Sequence, residues 1–193
     1  MSDKELIYSI RKGDRKAFKQ LVVDYQKMVI NTCNGFLHNI SDAEDISQEV
    51  FTEVFLSAHK FRGDSKISTW LYRIAVNKSL NFLRDNKNEK RIRSIEAYSY
   101  YESSGEINIA VPESDNVESL VENSEQRKNL FLAISSLPEN QKTAFVLSKY
   151  EDLSYKDISE VMNITIPSVE SLLFRAKKNL QKKLIECYKK LNA

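Results

Sequence analysis

Cationic, aromatic and amide side chains alternate along residues 61–84 of this 193-residue chain. The run opens with a turn that contains Gly63 and continues as one predicted helix, so these side chains would share a continuous surface. Aromatic rings offer faces on which bases stack, amides bond to base edges, and cations attract phosphates. This combination is typical of a surface that binds unpaired bases.

A second element, residues 152–184, has the pattern of a helix-turn-helix, a motif that docks on duplex DNA. Ser154 and Asp157 form a near capping box for a short helix, residues 163–166 form the turn, and Pro167 opens the next helix. The predicted inward face of that helix comprises Val169, Leu173, Ala176 and Leu180. Hydroxyl and cationic side chains repeat on its other side. A chain with both elements would meet duplex and single-stranded DNA together, as at an opening promoter.

Composition and periodicity predict an all-α fold. Hydrophobic residues make up 41% of the chain, against only four glycines and three prolines. Gly13 and Asp14 predict the end of one helix and the cap of the next. Ser41 and Glu44 fit a capping box for a helix that runs to about Ala58.

Charge divides the chain into three segments. Lys and Arg outnumber Asp and Glu by 17 to 12 in residues 1–93 and by 12 to 7 in residues 126–193, whereas residues 94–125 hold eight acidic and no basic residues. The basic segments would neutralise phosphates, an attraction that weakens with salt. The acidic segment would be repelled by the same DNA, or is simply a solvated tether.

The same division predicts two small helical domains joined by a flexible acidic linker. We place the domains at 1–93 and 119–193 and the linker at 94–118, where no apolar period persists. The second domain is predicted to begin with a helix to about residue 135 and to continue with one that has Pro138 in its first turn.

Neither a membrane span nor a signal peptide is evident in the sequence, so the expected compartment is the cytoplasm. Cys33 and Cys187 lack a CxxC partner and a histidine at metal-ligand spacing, and we interpret both as free thiols. We therefore predict no metal site and no cofactor.

Three motifs, in this order, resemble those of the bacterial sigma factors of RNA polymerase, specifically the extracytoplasmic-function (ECF) group of the sigma-70 family. Residues 42–51 resemble the family's polymerase-binding helix, residues 61–77 its minus-10 reader, and residues 137–184 its minus-35 reader. The resemblance covers nearly the whole chain. It implies a non-enzymatic subunit that binds core RNA polymerase, reads both promoter elements and traps melted non-template bases. An anti-sigma factor is implied by family habit only.

The resemblance also assigns roles to individual residues. In the minus-10 reader, Phe61 and Asn77 would line a pocket for a flipped base, with cations holding phosphates nearby. The polymerase-binding residues implied are Asp45, Gln48 and Glu49. The minus-10 set is Phe61, Arg62, Lys66, Arg73, Asn77 and Lys78. The minus-35 set is Ser168, Ser171, Phe174, Arg175 and Lys178.

Several of these positions leave alternatives open. Phe61 is equally well explained as a plug between helices. The loop 66–68 lacks the aromatic residues of relatives, which leaves the preferred minus-10 bases open. Relatives commonly carry cations where this chain has Glu170 and Leu172, so phosphate contacts would depend on neighbouring cations.

Two other classes of protein compete with this interpretation of the sequence. A helix-turn-helix transcriptional regulator that is not a polymerase subunit would share residues 153–180, but residues 1–93 lack the alternating βα pattern of a sensing domain. An enzyme is the weakest interpretation, because His38 and His59 are the only histidines and neither belongs to a catalytic or nucleotide-binding motif.

Overall fold

The computed structural model describes residues 3–86 and 128–191. Every regular element in these two ranges is a helix, so the all-α prediction is confirmed. The predicted linker 94–118 lies outside the described residues, as do the domain boundaries beside it and the first part of the predicted helix over 119–135. Among the described helices, none has both the length and the apolar character needed to cross a bilayer.

The N-terminal unit consists of four α-helices and one 3-10 turn. These are α1 (Asp3–Arg11), α2 (Arg15–Leu37), α3 (Ile40–Ser57), the 3-10 turn Ala58–Lys60 and α4 (Ile67–Asp85). The predicted break between α1 and α2 is confirmed: Gly13 has a φ of 81°, and the Asp14 carboxylate accepts hydrogen bonds from the backbone N–H groups of Lys16 and Ala17. A positive φ suits glycine because it has no Cβ.

The predicted capping box of α3 is wrong. His38 ends α2 in the left-handed conformation, and Asn39 is already extended, so α3 begins at Ile40. The Asn39 side chain accepts from the Asp42 N–H at 3.1 Å and takes the place predicted for Ser41. The sequence favoured Ser41 because serine followed by glutamate is the stronger local signal.

The second unit comprises four helical segments. They are α5 (residues 128–135), α6 (Glu139–Lys149), α7 (Tyr155–Met162) and α8 (Ile166–Leu191). Pro138 is the N-cap of α6 rather than part of its first turn, a correction of one position. The predicted start of α7 is confirmed, because the Ser154 hydroxyl accepts from the Asp157 N–H at 3.1 Å.

The turn between α7 and α8 also agrees with the predicted helix-turn-helix. Asn163 ends α7 with a φ of 53°, a conformation that asparagine tolerates better than most residues. On α8, Val169, Ala176 and Leu180 are buried and Leu173 is half-buried. This is the apolar face that the spacing predicted.

One hydrophobic core extends through both units. Side chains of α2, α3 and α4 pack in the same cluster as Val146, Leu147, Ile158, Val161 and Val169 of the second unit. A smaller cluster, which includes Ile134 and Leu180, lies within the second unit alone. The two units are therefore in direct apolar contact.

Candidate nucleic-acid interface

Helix α1 forms hydrogen bonds to the segment that carries the first predicted minus-10 residues. Arg11 donates from Nε to the Ala58 carbonyl at 2.9 Å and from Nη2 to the Phe61 carbonyl. At the end of the segment, the Asp3 carboxylate accepts from the Ile67 N–H at 3.0 Å and so caps α4. The loop between the 3-10 turn and α4 is thus fixed at both ends by α1.

Phe61 and Asn77 lie in different environments. Phe61 is only 6% exposed, and its ring lies 5.1 Å from that of Trp70 at an angle of 40°. Asn77 is exposed on α4. In this structure a base therefore has access to the amide of Asn77, whereas Phe61 packs between helices, the alternative that the sequence left open.

The four cations of the minus-10 set have different partners. Arg62 is exposed. Lys78 forms an ion pair of 3.2 Å with Glu49 on α3. Lys66 lies 3.5 Å from the Asp157 carboxylate, and Arg73 donates from Nη2 to the Glu160 carbonyl at 2.6 Å.

The last two of these contacts come from α7 of the second unit. The cation surface that the sequence predicted on the loop and α4 is thus present, but the second unit partly covers it.

The residues assigned to polymerase binding share one exposed surface. Asp45, Gln48 and Glu49 are all exposed on α3, whereas Ile46 and Val50 between them are buried. The Glu49–Lys78 pair lies at the border between this surface and α4. The predicted polymerase-binding and minus-10 sets are therefore direct neighbours.

The predicted minus-35 set forms a second exposed surface on α8, at the opposite end of the chain. Phe174 is 71% exposed, which is unusual for a large apolar side chain. Together with Glu170, Ser171 and Arg175 it lines an open depression of about 490 Å³. Ser168 and Lys178 are exposed on the same helix. All five predicted residues are thus accessible to a ligand.

A buried carboxyl group lies where the two units meet. The Tyr72 hydroxyl donates to Glu151 Oε2 at 3.1 Å, while Glu151 Oε1 is buried without a hydrogen bond. Burial raises the pKa of Glu151 to about 7, and the hydroxyl groups of Tyr72 and Thr32 only partly offset this effect. Burial also raises the pKa of Tyr72, and the charge of Glu151 raises it further.

Cys33 belongs to the same region. Its side chain is buried on α2, and burial raises the pKa of the thiol to about 11. This agrees with the prediction of a free thiol at position 33; the Cys187 side chain lies outside the described part of the chain. Within the described ranges, no group of His, Cys, Asp and Glu side chains has the arrangement of a metal site.

Several of these contacts have no counterpart in any sequence pattern. Arg11 and Asp3 act on residues about 50 and 64 positions away, and Tyr72 and Glu151 are 79 positions apart. No motif or periodicity links residues at such separations. Only the folded structure shows that they lie together.

Comparison with known proteins agrees with this architecture. Residues 21–89 match the family described as sigma-70 region 2, and residues 127–180 match sigma-70, region 4. The chain is 35% identical over 186 residues to the ECF RNA polymerase sigma-E factor of Escherichia coli, covering 95% of each chain. It is 33% identical over 184 residues to the RNA polymerase sigma-H factor of Pseudomonas aeruginosa, covering 94% of this chain and 93% of the relative.

Two solved structures share the fold. CnrH in complex with the cytosolic domain of CnrY matches with a TM-score of 0.63 and 19% identity, covering 96% of this chain and 99% of that one. The sigma factor RpoE in complex with the anti-sigma factor NepR from Bartonella quintana matches with a TM-score of 0.57 and 21% identity, covering 88% and 97%. The chain belongs to the sigma-70 family of RNA polymerase sigma factors, in the ECF group.

Proposed function

We propose that this chain binds core RNA polymerase and directs promoter-specific initiation of transcription, acting in the cytoplasm where the polymerase works. One observation carries this proposal: a region 2 unit and a region 4 unit occur in one chain, in the order that two-element promoter reading requires. The chain supplies recognition and strand capture, and the polymerase supplies the catalysis. A helix-turn-helix regulator outside the polymerase would not need the region 2 unit.

The proposal divides the chain as the sequence suggested. Residues 1–93 bind polymerase and read and melt the minus-10 element, residues 94–118 connect the units, and residues 119–193 read the minus-35 element. A further protein partner, an anti-sigma factor, is part of this proposal, and it is supported by the structural neighbour RpoE, which is bound to the anti-sigma factor NepR.

The free energies of base capture and of strand separation limit what the chain can do without the polymerase. Capture of an unpaired base by stacking contributes about 1–3 kcal/mol, whereas separating about ten base-pair steps costs about 14 kcal/mol. A few captured bases do not cover that cost. The free chain is therefore expected to trap, rather than create, the open strands.

The decisive experiment supplies purified core polymerase with this chain on genomic DNA and sequences the transcripts. New start sites that share minus-10 and minus-35 sequences are expected. If the start sites are the same with and without the chain, it is not a sigma factor, and binding of duplex DNA by the chain alone would then favour a regulator.

The exposed polar surface of α3 makes a specific prediction about polymerase binding. The double variant Gln48→Ala with Glu49→Lys removes an amide and reverses a charge, and we expect co-purification with core polymerase to weaken by about tenfold or more. A matched control is Gln20→Ala with Asp24→Lys, because Gln20 and Asp24 are an exposed, hydrogen-bonded pair on α2. If both double variants co-purify with core polymerase equally well, α3 is not part of the polymerase-binding surface.

The exposed surface of α8 makes a prediction about the minus-35 element. Arg175 presents a guanidinium beside Ser171, and its loss is expected to cost about 1–3 kcal/mol in binding, or roughly a tenfold drop in transcription from promoters with a strong minus-35 element. Lys149→Ala is the control, since Lys149 is an exposed cation at the end of α6. An equal drop for both variants would indicate a general charge effect without sequence reading.

A further inference from the structure

The depression on α8 contains two opposite charges that do not pair with each other. It is lined by Glu170, Ser171, Phe174 and Arg175, and both charged side chains are exposed. Arg175 donates from Nε to the backbone carbonyl of Ser171 at 3.1 Å. Among the residues that the structure describes, neither the Arg175 guanidinium nor the Glu170 carboxylate has an ion-pair partner. An acceptor and a donor are therefore both accessible to a ligand in one open site.

Helix stabilisation does not explain the presence of Glu170. A glutamate stabilises a helix electrostatically when it lies in the first turn, but Glu170 is the fifth residue of α8, and the first turn holds no acidic residue. Ion pairs on a helix surface join residues three or four positions apart. At those separations from Glu170 the chain has only uncharged residues, namely Ile166, Pro167, Leu173 and Phe174. The carboxylate therefore has no structural partner within its own helix.

Glu170 also differs in charge from the rest of this surface. Residues 166–185 include five cationic residues, and Glu170 is the one acidic residue among them. Phosphates repel a carboxylate, so an acidic side chain on a DNA-binding helix weakens binding to every sequence unless it meets a hydrogen-bond donor. In the major groove of DNA, such donors belong to the bases. A carboxylate at this position therefore favours some base sequences over others.

The pattern of donors and acceptors in the major groove identifies the base. A carboxylate only accepts hydrogen bonds. Guanine presents two acceptors, thymine presents one, and adenine presents an acceptor beside its donor, whereas cytosine presents the N4 donor alone. Arg175, which only donates, fits guanine, so Glu170 and Arg175 together match the edge of a G·C pair. Phe174, one helical turn from Glu170, offers an apolar contact to the C5 edge of a pyrimidine.

We propose that Glu170 is a specificity-determining residue of this chain, which selects a cytosine in the minus-35 element by accepting a hydrogen bond from the cytosine N4 amino group. This inference rests on the proposed function, because it places α8 in the major groove of that element. Glu170 thereby joins the five residues assigned to minus-35 reading. Unlike the cations among them, it increases discrimination between sequences while it lowers the affinity for DNA in general.

Selection of minus-35 sequences by the assembled holoenzyme tests this role. Core polymerase with the full-length chain binds a promoter library, built on one of the new start sites, in which only the minus-35 element is randomised, and the bound fragments are sequenced. The wild type is expected to enrich cytosine at one position, on one of the two strands. Glu170→Gln keeps the size of the side chain but adds a donor and removes the charge. The preference for cytosine at that position is expected to fall by about tenfold, with the other positions unchanged.

Two further variants separate base reading from a general charge effect. Glu186→Gln removes the same charge from an exposed site on the same helix, about 24 Å away at about 1.5 Å per residue, and is expected to leave the cytosine preference unchanged. Glu170→Asp keeps a carboxylate and is expected to retain part of the preference. If Glu170→Gln tightens binding to all sequences equally, the carboxylate only repels phosphates, and the inference is overturned.

Failure of this inference differs from failure of the proposed function. If new start sites appear but Glu170→Gln selects the same minus-35 sequences as the wild type, base selection by Glu170 is overturned and the sigma function stands. If no new start sites appear, the sigma function is overturned, and the selection is made with the free full-length chain on a random duplex library. There, cytosine enrichment that is lost in Glu170→Gln supports the role of Glu170, and its absence in the wild type overturns that role.

Discussion

Arg11→Ala is expected to lower the free energy of unfolding by about 2 kcal/mol and to reduce promoter opening by the assembled holoenzyme. The variant removes two hydrogen bonds from a charged donor and leaves the carbonyls of Ala58 and Phe61 without these partners. The loop that carries Phe61 then loses its connection to α1. Urea denaturation gives the stability change, and permanganate footprinting of melted thymines gives the change in opening.

Arg15→Ala is the matched control for Arg11→Ala. Arg15 is an exposed arginine four residues further along the chain, at the start of α2. We expect its loss to change stability by less than about 0.5 kcal/mol. If Arg11→Ala behaves like Arg15→Ala in both measurements, α1 does not position the minus-10 loop.

Glu151 is expected to make stability depend on pH between about 4.5 and 7. Its pKa is raised from 4.5 to about 7 by burial, so the folded chain keeps the proton while the unfolded chain releases it. The stabilisation is complete below pH 4.5 and is lost as the pH rises through about 7. Because the group retains some solvent contact, we expect a loss of about 2 kcal/mol, less than the full shift would imply.

The measurement compares urea denaturation of the wild type and Glu151→Gln from pH 4.5 to 8. Glutamine keeps an acceptor for Tyr72 and carries no charge at any pH. The free energy of unfolding of Glu151→Gln should therefore not show the decrease with rising pH that Glu151 causes in the wild type. The groups that interact with Glu151, namely Tyr72 on α4 and Thr32 and Cys33 on α2, are common to both proteins, and the difference between the curves isolates Glu151. Parallel curves would show that its ionisation is not coupled to folding.

Local signals in the sequence predicted most of the helices. Asp14 and Ser154 cap their helices through bonds to residues two or three positions away, and such short-range chemistry is visible in the sequence. The start of α3 was missed because Asn39 competes with Ser41 for the same role. His38 ends α2 in the left-handed conformation, so the chain leaves the helix immediately before Asn39, and the cap of α3 falls there.

The candidate surfaces were predictable only in part. Exposure of Phe174 and Arg175 follows from the helical period, because buried residues on the same helix fix which side faces outward. The burial of Phe61 does not follow, since an aromatic residue after a turn suits either a base or a core. The contact of Arg73 with Glu160 joins residues 87 positions apart across the two units. Pattern alone carries no information about such pairings.

The burial of Cys33 has a consequence for the chemistry of this protein under oxidative stress. Only a thiolate reacts readily with peroxide or exchanges with a disulfide, and a thiol with a pKa of about 11 is almost entirely protonated at neutral pH. Cys33 is also inaccessible to reagents in solution. In this structure the Cys33 sulfur atom is therefore inert toward oxidants, and a redox signal would have to act on the protein by another route.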